Sequence, residues 1–172
     1  LAGHCARLGP PGGARFAGSR WLEPIDWGTA GATGPLGDAM PVGGTSEALL
    51  AFGPMPEPSR ILRALLVVHP HESRPWVQTR TQIVVENVGA FVGGALPARH
   101  GRQPTPFAAA RRMLAPGPAR PLRFDVTGAA RAAAGRPLQL LVRLEGDARS
   151  VSFASPWASE EALRPRLEVM VR

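Results

Sequence analysis

The feature of this sequence that most limits its fold is a set of short segments in which apolar and polar residues alternate. The clearest segment is 138–145 (LQLLVRLE), and segments 122–126, 151–154 and 167–171 share its period of two. Successive side chains of a β-strand point to opposite faces, so this pattern is typical of a strand that buries one face. We therefore predict that these segments are strands covering a hydrophobic core.

Three further segments are apolar on both faces or rich in residues that favour strands. Segments 61–68 (ILRALLVV) and 48–52 (ALLAF) are nearly continuous apolar runs, which indicates central strands. Segment 79–88 is rich in Thr, Val and Ile, which are enriched in strands. No helical pattern long enough for a parallel crossover separates these segments. The predicted fold class is all-β, a sandwich of two antiparallel sheets.

One or two very short helices are predicted beside the strands. Thr127 is a candidate N-cap for a helix that runs to Ala134 and ends at Gly135. A second short helix is predicted over 107–114, because prolines stand just before and just after this segment.

The length and the turn-forming residues define the domain organisation. A chain of 172 residues suits one domain, and its 20 glycines and 19 prolines indicate many turns. Residues 1–20 are predicted to form an extended or partly disordered N-terminal arm, because Gly and Pro are frequent there and periodicity is lacking. Residues 21–172 are predicted to form a single β-sandwich domain with one long loop at 89–121.

The basic residues of the chain are all arginine, and they give a net charge of +7. Arginine binds phosphate and carboxylate with two parallel hydrogen bonds, so one interpretation is anion binding. The other is a GC-rich genome, whose codons favour Arg, Ala, Gly and Pro. Only Arg111 and Arg112 are adjacent, so no basic run marks a nucleic-acid surface. No stretch approaches the ~18 apolar residues of a membrane span.

The order of these segments resembles the DNRLRE (disaggregatase-related) family of carbohydrate-binding-module-like domains. The resemblance covers about residues 45–172 and is a packing pattern without a catalytic motif. The segments that carry it are 47–52 (EALLAF), 61–67 (ILRALLV), 123–127 (RFDVT), 137–142 (PLQLLV), 151–155 (VSFAS) and 164–169 (RPRLEV). The chain departs from the family at 131–134 (RAAA), where members usually carry a large aromatic residue.

The resemblance implies a jelly-roll β-sandwich on a secreted or surface-attached protein of bacteria or archaea. Some members of the family bind polysaccharide, and others are structural modules. An extracellular or cell-envelope location is accordingly expected for this chain.

Catalytic and metal chemistry find little support in the sequence. There is no G-x-S-x-G motif, and Asp125 is expected to order the backbone before the short helix rather than to act as an acid. His69 and His71 stand two residues apart, a spacing that places two metal ligands on one side of a strand. Pro70 separates them, however, and no further ligand is indicated, so we expect a strand-end loop. We predict no enzyme, no metal and no cofactor.

The candidate ligand-binding residues are two tryptophans and three arginines. Trp76 lies beside Arg74, Trp157 precedes polar residues, and Arg111 and Arg112 are the adjacent pair. Exposed indole rings stack on sugar rings, and guanidinium groups bind carboxylates. The alternative is that each indole covers one end of the sandwich and that each arginine is simply solvated.

Two functions remain open. The first is a non-catalytic structural or interaction module of a bacterial surface, fibre or multi-subunit assembly, with other protein subunits as its partners. The second is a carbohydrate-binding module that recognises an acidic polysaccharide through its loop tryptophans and arginines.

Overall fold

The computed structural model describes residues 18–30, 37–71, 80–88, 108–145 and 150–172. Within these ranges the chain forms eleven strands and one α-helix, α1, at Thr127–Ala132. The strands are β1 Gly18–Leu22, β2 Pro24–Ala30, β3 Ala39–Val42, β4 Glu47–Pro54, β5 Ile61–Val68, β6 Thr81–Asn87, β7 Ala108–Leu114, β8 Leu122–Asp125, β9 Pro137–Glu145, β10 Val151–Ala154 and β11 Arg166–Val171. Short 3-10 helices lie at Pro58–Arg60 and Glu161–Leu163.

Two large sheets contain nine of these strands. The four-stranded sheet has the order β1-β11-β5-β8, and the five-stranded sheet has the order β2-β4-β9-β6-β7. The remaining strands, β3 and β10, pair with each other. Every described pairing is antiparallel, and the chain passes directly from one large sheet to the other after β1, β4, β5, β7 and β8. This alternation of strands between two four-stranded layers, with β2 as an added edge, is a jelly-roll sandwich.

The hydrophobic core lies between the two sheets and confirms the alternation in the sequence. Leu138, Leu140 and Val142 of β9 are fully buried in it. The largest fully buried side chains are Phe52, Phe124, Phe153, Met40, Leu49, Leu50, Ile61, Leu66, Ile83, Leu138, Leu140 and Leu141. Leu49 and Leu141 lie on the face of the five-stranded sheet that points away from the core, and they are buried as well. Their strands are therefore apolar on both faces.

All seven predicted strands are present. Segment 61–68 coincides with β5, and the other six predictions overlap β4, β6, β8, β9, β10 and β11. The prediction of an all-β sandwich is therefore confirmed.

The predicted helix over 107–114 is wrong. Residues 108–114 form β7, which pairs with β6 along its whole length. The Ala- and Arg-rich sequence of β7 favours a helix locally, but pairing with the open edge of β6 outweighs that preference. The predicted long loop at 89–121 accordingly contains a strand, and residues 89–107 lie outside the described part of the chain.

The N-terminal boundary also differs from the prediction. Residues 18–20 were expected in the arm, but they belong to β1, which pairs with β11. The sandwich therefore includes residues from Gly18 onward, and residues 1–17 lie outside the described ranges.

Helix α1 begins at Thr127, but the Thr127 side chain does not cap it as expected. The Thr127 hydroxyl donates to Asp125 Oδ1 at 2.6 Å and accepts from the Ala64 N–H at 3.0 Å. Asp125 Oδ1 also accepts from the Thr127 N–H, so Asp125 orders this backbone as predicted. Gly135, with φ +68°, ends the turn that follows the helix.

Arg131 attaches α1 to strand β5 through hydrogen bonds. Its Nε and Nη2 donate to the Ile61 carbonyl at 3.1 and 2.8 Å, and Nη2 also reaches the Leu62 carbonyl at 3.2 Å. These bonds fasten the helix to the start of β5.

Candidate functional site

One lateral edge of the sandwich carries three of the four tryptophans. Trp21 lies on β1, Trp27 on β2 and Trp157 in the segment that follows β10. Strands β1 and β2 are separated by Glu23 alone, yet they belong to different sheets, so this short connection brings the margins of both sheets together. We call the surface formed by Trp21, Trp27 and Trp157 the tryptophan edge.

Trp27 and Trp157 form an edge-to-face pair. Their ring centroids are 5.2 Å apart and their planes meet at 81°. Trp27 is 6% exposed and belongs to the core, whereas Trp157 is 59% exposed. A buried ring therefore supports an exposed one, which keeps the Trp157 indole at the surface without burying it.

Hydrogen bonds from Ser155 fix the segment that carries Trp157. The Ser155 hydroxyl donates to the Gly37 carbonyl at 2.6 Å and accepts from the Trp157 N–H at 3.0 Å. The Ser155 N–H donates to the Asp38 carbonyl at 2.8 Å. Because Ser155 is fully buried, these bonds hold Trp157 in one position relative to β3.

Trp21 is covered on one face by an arginine. The Arg166 guanidinium carbon lies 4.3 Å from the centroid of the Trp21 ring, a cation–π arrangement. Trp21 remains 47% exposed. Arg166 Nε is buried and has no hydrogen-bond partner among the described residues, so the contact with the Trp21 ring is the interaction of this guanidinium that the structure shows.

A groove of about 200 Å³ opens between Trp21 and the segment before β11. Its lining residues are Trp21, Glu23, Glu161, Arg164, Pro165 and Arg166. Arg164 Nε donates to the Ala158 carbonyl at 2.9 Å, which connects the groove to the segment of Trp157. Arg164 Nη1 also lies 3.6 Å from Glu161 Oε1. The groove thus presents two guanidinium groups beside an indole ring.

His69 lies behind this groove, just after β5. It is 9% exposed, and its Nδ1 is 3.1 Å from the Leu163 carbonyl. Burial lowers the pKa of His69 below its ordinary value, and the charges of Arg166 and Arg123 lower it further, against the opposing effect of the Leu163 bond. A neutral imidazole therefore holds the 3-10 helix of Glu161–Leu163 against β5.

The part of the five-stranded sheet from its central strand β9 to its edge strand β7, on the side away from the tryptophan edge, carries a different arrangement. Arg143 Nη2 donates to Glu86 Oε1 at 2.7 Å and to Glu145 Oε1 at 2.8 Å. Arg111 Nη1 lies 3.7 Å from Glu145 Oε2. Arg112 Nη1 reaches the Arg123 carbonyl of the other sheet at 3.5 Å. We call the surface formed by Arg111 and Arg143, which share Glu145, the arginine edge; Arg112 leaves β7 on the other side.

The structure does not bring the described candidate residues together. Arg111 and Arg112 alternate along β7 and so leave it on opposite sides. Trp157 packs on β2, which lies four strands away from β7 in the same sheet. This separation is about 19 Å at a strand spacing near 4.8 Å. The predicted ligand-binding residues Trp76 and Arg74 lie outside the described residues.

Sequence reasoning missed Trp21, Arg164 and Arg166 as members of a site. Arg164 and Arg166 lie in segment 164–169, which the sequence analysis interprets only as part of a packing pattern. Trp21 has no candidate binding residue near it in the sequence. The pairing of Trp21 with Arg166 follows from the register of β1 with β11, which no local pattern specifies.

The described residues contain no group of three or more His, Cys, Asp or Glu side chains arranged to hold a metal ion. Pro70 forms an isolated bridge to Phe153, and the His71 N–H donates to the Ser152 carbonyl, so the backbone between the two histidines is held against β10. In the same part of the chain, no helix has the length and apolar character of a membrane span.

Comparison with known proteins adds no relative. No protein-family model matches the chain, and a search of curated proteins finds none similar to it. The resemblance to the DNRLRE family stays a prediction that depends on the segments quoted for it.

Proposed function

We propose that this chain is a non-catalytic interaction module that joins other protein subunits in an extracellular or envelope assembly through the tryptophan edge. The proposal is supported mainly by the positions of the large hydrophobic side chains that are exposed at the surface. The described residues have four of them: Trp21, Ile25, Trp157 and, on the opposite edge, Met113. Three of the four are therefore on β1, on β2 or on the segment that packs against β2.

The chemistry of this edge supports protein binding. Trp and Arg are the residues that most often dominate binding energy at protein interfaces, and Tyr is absent from this chain. Ile25 is the extra residue of a β-bulge in β2 and is 66% exposed. Large apolar side chains grouped at the surface mark interaction sites more often than scattered ones do.

The rigidity of the edge also supports the proposal. Trp157 stands on the buried Trp27 ring, and Trp21 stacks on Arg166. Side chains that are already held in place lose less conformational entropy when a partner binds.

Site-specific photo-crosslinking in cells that produce the chain tests the proposal. We expect p-benzoylphenylalanine in place of Trp157 to form covalent adducts whose peptides mass spectrometry assigns to another protein. Met113 is the matched control, because it is 58% exposed and lies on the opposite edge. Equal adducts from both positions, or none from position 157, would contradict the proposal.

A second candidate function is binding of an acidic polysaccharide, and the exposed Trp157 ring favours it. Arg164, tied to the Ala158 carbonyl, supplies a guanidinium near the Trp157 segment. Arrays of acidic and neutral polysaccharides test this function. Binding that is lost in Trp157→Ala and kept in the exposed-residue control Met113→Ala would support it over the assembly function.

A further inference from the structure

The groove beside Trp21 has the size of a site for one small group. Its volume of about 200 Å³ is below the ~300–1,000 Å³ of clefts that enclose whole small-molecule ligands. A single side chain of a partner fills such a groove, whereas a chain of sugar rings extends well beyond it.

The Arg166 guanidinium favours an acidic side chain. Its central carbon lies 4.3 Å from the centroid of the Trp21 ring, and no hydrogen bond or ion pair to this guanidinium occurs among the described residues. Because the Nε of Arg166 is buried, its two Nη groups are the donors that remain to form two parallel hydrogen bonds to a carboxylate.

The carboxylates of Glu23 and Glu161 also line the groove and repel an incoming anion. The Glu161 side chain is 81% exposed and lies near Arg164. Because an exposed ion pair of this kind contributes little free energy, an incoming carboxylate exchanges with Glu161 at small cost. The chain as a whole carries a net charge of +7, which attracts an acidic partner over longer distances.

The position of Trp21 favours a peptide as the source of the acid. Among the described strands, β1 is at the edge of its sheet, and its three central residues are exposed. An extended peptide that lies beside such a strand presents alternate side chains to one face of the sheet. One of these side chains then enters the groove lined by Trp21, Arg164 and Arg166.

We propose that the groove formed by Trp21, Arg164 and Arg166 binds an Asp or Glu side chain of an extended acidic segment in a partner protein. This inference rests on the proposed interaction function and names the class of partner segment.

The test uses a fluorescein-labelled ten-residue poly-glutamate peptide and fluorescence anisotropy with the full chain. We expect Arg166→Gln to weaken binding of this peptide by about tenfold, the effect of removing one interface arginine of high energetic weight. Arg120→Gln is the matched control: it removes the same charge from an exposed position before β8, at the other edge of the sheet. We expect this control to weaken binding by less than about twofold.

The outcomes separate this inference from the proposed function. Equal weakening by Arg166→Gln and Arg120→Gln shows binding by net charge alone and overturns the inference, while crosslinks from position 157 still support an interaction module. Oligogalacturonate, a carboxylated sugar polymer, is the competing probe. Binding of it that depends on Arg166, without binding of the peptide, assigns the groove to a polysaccharide and overturns the inference. Thermal unfolding of Arg166→Gln checks that the variant is folded.

Discussion

The two lateral edges of the sandwich are both rich in arginine, but they use it differently. At the arginine edge, Arg143 lies between Glu86 and Glu145, and the three side chains are between 23% and 31% exposed. At the tryptophan edge, Arg166 stacks on an indole ring and its buried Nε has no acceptor. The number of arginines in a region therefore says little about which of them are free for a partner.

The electrostatic surroundings explain this difference. Burial alone lowers the pKa of Arg143, but hydrogen bonds and charge attraction from Glu86 and Glu145 outweigh it and raise the pKa. The charge of Arg143 is thus compensated within the chain. Arg166 has no carboxylate bonded to it among the described residues, so its charge remains available to a ligand.

The largest expected loss of stability comes from replacing Trp27, the buried ring that packs under Trp157 at the tryptophan edge. Trp27→Ala removes a buried ring from the core and should lower the free energy of unfolding by about 3–5 kcal/mol. Trp157→Ala is the control, and it should cost about 1 kcal/mol, since the Trp157 ring is 59% exposed. Urea denaturation measures both. Similar losses in the two variants would show that Trp27 is not the supporting ring.

The next effect concerns the arginine edge. Arg143→Ala leaves two partly buried carboxylates without their shared partner and should destabilise the chain by about 1–2 kcal/mol, a value reduced for partial exposure. Arg111→Ala is the comparison, and it should cost at most about 0.5 kcal/mol because its ion pair is long and exposed. If both variants unfold at the same urea concentration, the arginine edge is not a compensated cluster.

A smaller, pH-dependent effect is expected from His69 behind the groove. Its pKa in the folded chain is lowered from the ordinary 6.5, so between these two values the unfolded chain binds more protons than the folded chain does. The free energy of unfolding should therefore fall as the pH drops from about 7 through this interval, and stay constant above it.

The control for this pH dependence is His69→Gln, whose amide also donates to the Leu163 carbonyl but does not titrate. Urea midpoints at about pH 7.5 and about pH 5 should differ less in this variant than in the unmodified chain. Asp125, whose pKa the Thr127 hydrogen bonds and Arg63 lower despite the opposing effect of burial, acts only at pH values below its ordinary 3.8. An unchanged midpoint difference in His69→Gln would exclude His69 as the source.

The smallest effect on stability is predicted for substitution of Arg166, although binding of the acidic peptide should depend on this residue most. Arg166→Gln removes one cation–π contact at a half-exposed ring and should change stability by about 0.5 kcal/mol. Thermal unfolding measures this change. A loss as large as that of Arg143→Ala would make Arg166 a structural residue and remove the contrast between the two edges.

Much of the fold followed from local patterns. Strands β5 and β9 were predicted almost to the residue, because a buried strand repeats its apolar positions every two residues or continuously. Strand β7 was mistaken for a helix, since Ala and Arg carry no strand pattern and only the edge of β6 makes them extended. Strands β1, β2 and β3 were missed because they are short or exposed and interrupted by Gly and Pro.

The sequence predicted which types of residue form the candidate site, but it did not predict which of these residues contact one another. Tryptophan and arginine were the expected ligand-binding residues, and Trp157 was among those named. Its partner Trp27 and the pair of Trp21 with Arg166 were not found, because these contacts join segments that are far apart in the chain.

The amino-acid sequence by itself determined seven of the eleven described strands and the layered core, because alternation of apolar side chains acts between near neighbours in the chain. Packing of the sheets settles which arginines meet carboxylates and which meet indole rings. These contacts depend on strand register and on which strands occupy the edges, and both are properties of the assembled sandwich.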